Sequence, residues 1–79
     1  MKVAIALIYD KSVKPSFFIV EMSLNDWRKF LLGNQRVRQD MIVPKVAPSV
    51  EGKVKELVWI PLDNQNKLQV IDENNIISI

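Results

Sequence analysis

The chain contains no cysteine and no histidine, and only two of its 79 residues are glycine. The lack of cysteine excludes disulfide bonds, thiolate metal sites and a cysteine nucleophile. The lack of histidine removes the usual general base and the commonest zinc or iron ligand. Two glycines are too few for a glycine-rich loop that wraps phosphate groups. So few reactive groups remain that we expect no catalytic residues, no bound metal and no cofactor.

Long apolar runs and a strong net charge are also missing. The longest apolar run is Val3–Tyr9, whereas a membrane-spanning helix needs about 20 residues, so we expect no membrane contact and a cytoplasmic location. The formal net charge is +2. Residues 1–40 carry seven basic and four acidic side chains, and residues 41–79 carry four and five. Any basic patch should therefore lie in the first half of the chain.

What is present is the composition of an ordinary globular domain, with 48% hydrophobic and 25% charged residues. The length predicts a single domain over residues 1–79. The Val3–Tyr9 run is apolar at both alternating parities, which predicts a strand buried on both faces near the middle of a sheet. The segment 16–22 predicts a second strand. The polar loop ending at Pro15 is short enough for the two strands to form an antiparallel hairpin.

A helix start follows at Ser23, which is a good N-cap residue. Trp27 and Leu31 lie four positions apart, so they share one face of the resulting helix and should face the core. Gly33 then favours termination, because glycine readily adopts the left-handed conformation that ends many helices. We therefore predict one helix over 24–32.

The segment 37–43 is the least clear part of the pattern. It ends in an apolar run closed by Pro44, which favours an edge strand, since proline is tolerated at sheet edges. A loop is the alternative for residues 35–43, and a frayed second helix is a further alternative for residues 35–40. The prolines and glycine that follow predict a loop over 44–52.

The last third of the chain predicts two more strands and a short terminal segment. The segment 54–62 is apolar at most positions of one parity, with Glu56 as the exception, and 67–71 alternates well. A polar turn separates them, so they predict a hairpin. Residues 76–79 predict either a docking tail or a short sixth strand beyond the five. The resulting fold is a small α+β domain with a mostly antiparallel sheet of about five strands and one helix, in the order ββαβββ. The expected buried residues are Ile5, Leu7, Phe18, Val20, Trp27, Leu31, Val58, Ile60 and Val70.

This arrangement leaves apolar surface uncovered. A helix of about nine residues is about 14 Å long, and five strands make a sheet about 19 Å wide, so one helix cannot cover both faces. Either the sheet curls into a small barrel or a second molecule covers the remaining face. We therefore expect a small non-enzymatic protein-interaction module: an adaptor, an accessory subunit or an inhibitor of the kind that small phage or plasmid proteins provide. It would dock a sheet face or edge on a protein partner, or on a second copy as a homodimer.

Two other functions are weighed beside this one. The segment 27–38 combines two aromatic residues with four cations and has no acidic residue, so it would suit phosphate contacts and base stacking. The same cations are equally expected on a solvated helix face. A ribonuclease-like enzyme without histidine is the other alternative, although no spacing of residues supports it. The candidate nucleic-acid-binding residues are Arg28, Lys29, Arg36 and Arg38.

Overall fold

The computed structural model describes residues 1–62 and 76–78. Its elements are β1 (Lys2–Ile8), β2 (Ser16–Glu21), α1 (Leu24–Leu32), α2 (Gln35–Val46), a 3-10 helix (Pro48–Val50), β3 (Glu56–Pro61) and β4 (Ile76–Ser78). The α+β class is confirmed. The predicted sheet of five strands with one helix is wrong, because the described chain has two α-helices and three antiparallel strands, to which the short β4 is added. The predicted strand 67–71 lies outside the described residues.

The sheet has the strand order β3-β1-β2-β4. Strand β1 is antiparallel to both β2 and β3, and β4 runs parallel to β2. In this register Ile5 faces Phe18 on one side and Trp59 on the other. The central position of β1 and the hairpin of β1 with β2 are both as predicted. Strand β1 is apolar at both parities, which is consistent with its place between two other strands.

The hydrophobic core lies between one face of the sheet and the two helices. We call this side the helix face. The strands place Val3, Ile5, Leu7, Val20 and Leu57 on it, and the helices add Phe30, Ile42 and Val43. All of these side chains are buried. Because side chains alternate along a strand, the residues between them point to the opposite face of the sheet.

The predicted core is only partly correct. Ile5, Leu7 and Val20 are buried, and Phe18 and Trp27 are half-buried against the core. Val58 and Ile60 are 44% and 43% exposed, because Leu57 and Trp59 point to the helix face instead. All four residues 57–60 are apolar. The sequence pattern therefore could not decide whether Leu57 and Trp59 or their neighbours Val58 and Ile60 face the core. Leu31 is also exposed, and Val70 lies outside the described residues.

Helix α1 has the predicted bounds and the predicted cap. The Ser23 hydroxyl oxygen accepts a hydrogen bond from the Asp26 backbone N–H at 3.1 Å. The conformation predicted for Gly33 is wrong, because its φ is −79° and not positive. Glycine is needed here for space: a Cβ atom would lie 2.7 Å from Cγ1 of Val37. The two helices therefore approach each other closely at this turn.

Helix α2 replaces the edge strand predicted over 37–43 and the first part of the loop predicted over 44–52. The Asn34 side-chain oxygen caps it by accepting from the Val37 N–H at 3.0 Å. Its first turns carry Gln35 and Arg38 where an amphipathic helix would carry apolar residues. The helical period is therefore hidden in the sequence. Pro44 lies in the last turn and faces solvent.

Candidate functional site

The four candidate nucleic-acid-binding residues do not share one environment. Arg28 and Lys29 are exposed on α1. Arg36 is exposed at the start of α2. Its Nε lies 3.9 Å from the carboxylate of Asp40, and both side chains of this ion pair are exposed to solvent. Arg38 is half-buried and turns toward the end of α1. The segment 27–38 is therefore split between two solvated helix surfaces and one internal contact.

Arg38 holds the C-terminal end of α1. Its Nε donates to the Phe30 carbonyl oxygen at 2.9 Å, and its Nη2 donates to the Leu31 carbonyl oxygen at 3.1 Å. These carbonyls lie at the negative end of the helix dipole, where a cation is stabilising. The guanidinium carbon also lies 5.1 Å from the centroid of the Trp59 ring and 5.6 Å from that of Phe30, within cation–π range. Arg38 thus ties α1, α2 and β3 together.

The aromatic side chains of the segment are also engaged in packing. The rings of Trp27 and Phe30 are stacked with their centroids 6.1 Å apart, and both meet Trp59 edge to face at 5.5 and 5.4 Å. Trp27 is half-buried among them. A test of nucleic-acid binding should therefore replace the exposed cations Arg28, Lys29 and Arg36, since replacing Arg38 would also disturb the fold. That alternative remains a prediction.

Gln35 covers part of the outer edge of β3. Its Nε2 donates to the Leu57 carbonyl oxygen at 2.8 Å, and the Leu57 N–H donates to its Oε1 at 3.0 Å. The side-chain amide thus takes the place of a neighbouring strand at this residue. The segment 37–43, which we expected to offer an edge for strand addition, is helical and offers none. Sequence reasoning missed Gln35, because a glutamine in a helix has no pattern that marks such a role.

The side of the sheet away from the helices carries several exposed apolar side chains, while Ala4 and Ile19 on the same side are buried. We call this side the open face. Alternation along the strands assigns its residues, since their neighbours point to the helix face. Its apolar members are Ala4, Ala6 and Ile8 of β1, Phe17 and Ile19 of β2, and Val58 and Ile60 of β3.

The open face has a trough along its middle strand. The register places Ala6 between Phe17 and Val58, and it places Ala4 between Ile19 and Ile60. Small side chains on the central strand are therefore flanked by large ones on both neighbours. Phe17, Val58 and Ile60 are 49%, 44% and 43% exposed. Apolar side chains of this size, grouped and half-exposed, are typical of interaction surfaces.

Charged residues lie at the two ends of the open face. Lys2 and Glu21 are register partners at one end, and Glu56 lies beside Ile8 at the other. The N-terminal amine donates to the Glu21 carboxylate at 2.8 Å and so balances its charge. Lys2 and Glu56 are exposed, and neither forms an ion pair within residues 1–62 and 76–78. A positive and a negative charge thus remain at opposite ends of the face.

Comparisons with protein families, with curated proteins and with solved structures find no match for this chain. None of the helices in the described residues is long and apolar enough to cross a membrane. In the same part of the chain, no cluster of three or more acidic side chains could hold a metal ion. The function must therefore be argued from the surfaces described above.

Proposed function

We propose that this protein is a non-enzymatic protein-interaction module whose docking surface is the open face, and that the partner seated there is a second copy of the chain. The proposal depends on one observation. An apolar face with three half-exposed large side chains ends in two charges of opposite sign, neither of which forms an ion pair within the described residues. A cytoplasmic location, expected from the sequence, is part of the same proposal.

The charges favour a second copy because they make the face complementary to itself. A two-fold axis that lies between the two sheets and perpendicular to their strands would bring the Lys2 end of one copy against the Glu56 end of the other. The two ends lie about 20 Å apart along β1, at ~3.3 Å per residue. The symmetric arrangement would form two equivalent ion pairs around one apolar centre, as is typical of isologous dimers.

The apolar area sets the expected strength of the dimer. Full burial of a Val, Ile or Phe side chain is worth ~1.5–3 kcal/mol, so burying the exposed half of Phe17, Val58 and Ile60 contributes roughly 3 kcal/mol per copy. Association costs about 4–15 kcal/mol in lost freedom of motion. The two copies together contribute about 6 kcal/mol, which is near the lower end of this cost. We expect a reversible dimer that dissociates on dilution.

Sedimentation velocity over a range of protein concentrations tests the proposal. The wild-type chain should shift from monomer to dimer as its concentration rises. Val58→Lys should keep it monomeric, because the substitution puts a charge in the centre of the face. Leu32→Lys is the matched control: Leu32 is 89% exposed but lies on α1, so this variant should dimerise like the wild type.

A charge exchange tests the orientation of the two copies. Lys2→Glu and Glu56→Lys should each weaken the dimer, and the double variant should recover part of the loss, because it restores opposite charges at opposite ends. A chain that stays monomeric at every concentration and binds no apolar dye would rule the proposal out. A monomer that binds the dye would reject the second copy and leave the open face as a surface for a different protein.

A further inference from the structure

A second surface feature lies beyond the end of the sheet, on residues other than those of the open face. It is an open cleft of about 680 Å³. Its walls come from two segments that are distant in the chain, 9–16 after β1 and 50–55 before β3. Small-molecule sites in proteins commonly measure about 300–1,000 Å³. The cleft therefore has the size of a site for a small ligand.

The cleft is lined by more positive than negative charge. Lys14, Lys53 and Lys55 line it together with one carboxylate, that of Asp10. The Lys55 ammonium lies 3.0 Å from the Asp10 carboxylate, in an exposed ion pair. Lys14 and Lys53 form no ion pair within the part of the chain that the structure describes. Two uncompensated cations at one concave surface attract an anion.

The remaining lining supplies a hydrogen-bond donor and an apolar wall. The Tyr9 hydroxyl donates to the Ser16 hydroxyl oxygen at 2.9 Å. The Ser16 hydroxyl has its own proton to donate elsewhere. The ring of Tyr9 and the side chains of Val13 and Val50 form the apolar part of the lining. Tyr9 and Val50 also pack against the hydrophobic core, so this wall is held in place.

We propose that this cleft binds a small phosphorylated molecule of nucleotide size. The ammonium groups of Lys14 and Lys53 hold the phosphate, and the Ser16 hydroxyl adds a hydrogen bond to it. The planar or apolar body of the ligand packs against Tyr9. Phosphate is the anion that suits this set best, because it accepts several hydrogen bonds at once from flexible lysine side chains.

Titrations followed by amide NMR spectra test this proposal. The probes are the four common ribonucleoside monophosphates, each added alone, with inorganic phosphate and adenosine as separate arms. The monophosphates should give saturable shifts at Val13, Gly52 and Lys53, and they should bind more tightly than either fragment. The variant Lys14→Gln/Lys53→Gln should lose about tenfold or more in affinity, since charge-assisted contacts are the stronger ones.

The control is Lys29→Gln/Lys45→Gln, which removes the same charge from exposed positions on the two helices. It should bind the monophosphates like the wild type. Equal losses in both variants would overturn the proposal, because the attraction would then be a general effect of net charge. Absence of saturable shifts with every monophosphate would also overturn it. A third contradicting result is a single-stranded oligothymidylate that binds more tightly than the monophosphates and shifts only the amide signals of residues 27–38. That result would favour nucleic-acid binding on the helices instead.

Discussion

The side-chain amide of Gln35 and the backbone of Leu57 form two hydrogen bonds, one in each direction, at 2.8 and 3.0 Å. This pair joins the first turn of α2 to the outer edge of β3. Both groups of Leu57 point away from β1 and would otherwise face solvent or another chain. The contact therefore positions α2 on the sheet and closes the β3 edge at one residue.

Replacement of Gln35 should measure the value of this contact. Gln35→Ala removes both hydrogen bonds and should lower the free energy of unfolding by ~1–2 kcal/mol. Gln35→Glu keeps the acceptor for the Leu57 N–H but sets a carboxylate against the Leu57 carbonyl oxygen, so it should cost at least as much. Urea unfolding followed by tryptophan fluorescence measures both. An alanine variant as stable as the wild type would contradict this account of the edge.

Arg38 and Arg36 should differ sharply in their effect on stability. Arg38→Ala removes two hydrogen bonds to carbonyls at the end of α1 and the contact with the Trp59 ring, so it should cost ~2–3 kcal/mol. Arg36→Ala removes only an exposed ion pair and should change stability by less than ~0.5 kcal/mol. Thermal unfolding of the two variants under one set of conditions makes the comparison. Similar losses in both would show that the internal contact of Arg38 is unimportant.

Gly33 should be intolerant of even a methyl group. Gly33→Ala would place Cβ 2.7 Å from Cγ1 of Val37, and the resulting overpacking should cost ~1–3 kcal/mol. Val37→Ala removes the obstructing methyl groups at an exposed position. The double variant should therefore lose less than the sum of the two single variants. Simple additivity in this cycle would mean that the close approach of the two helices is not the reason for glycine.

Two neighbouring residues of α1 provide a test of the core. Phe30 is fully buried, whereas Leu31 is 41% exposed. Phe30→Ala should cost ~3–5 kcal/mol, which is a large part of the stability of so small a domain. Phe30→Leu should cost less and should keep the chain folded if the alanine variant does not fold. Leu31→Ala should cost under ~1 kcal/mol. Chemical denaturation gives all three values, and a larger loss at Leu31 would restore the sequence-based orientation of the helix.

Local patterns were sufficient for the first half of the fold. The hairpin of β1 and β2 was predictable because a short polar loop joins two apolar runs. Helix α1 was predictable because Ser23 supplies its own cap within three residues. In both cases the deciding interactions join residues that are close in the sequence.

Helix α2 and the phase of β3 could not be predicted in the same way. Gln35 is exposed and Arg38 is half-buried, but their side chains reach backbone groups of β3 and α1. Their polarity hides the helical period, because sequence analysis assigns polar residues to the solvent side. In β3 both parities are apolar, so only the residues that meet the helices decide which parity is buried. The same kind of contact sets Arg38 apart from the other candidate nucleic-acid-binding residues, because Arg38 binds carbonyl groups of α1 while the others are exposed.

The sequence by itself determined the α+β class, the central place of β1, the hairpin and the bounds and cap of α1. It did so because alternation, capping and turn preferences act over a few residues. The tertiary structure decided how the helix over 35–46 docks on β3 and α1. It also decided that Leu57 and Trp59 face the core, and that the lysines of two distant loops line one cleft. Those outcomes depend on contacts between residues far apart in the chain, and the free energy of such contacts leaves no periodic pattern in the sequence.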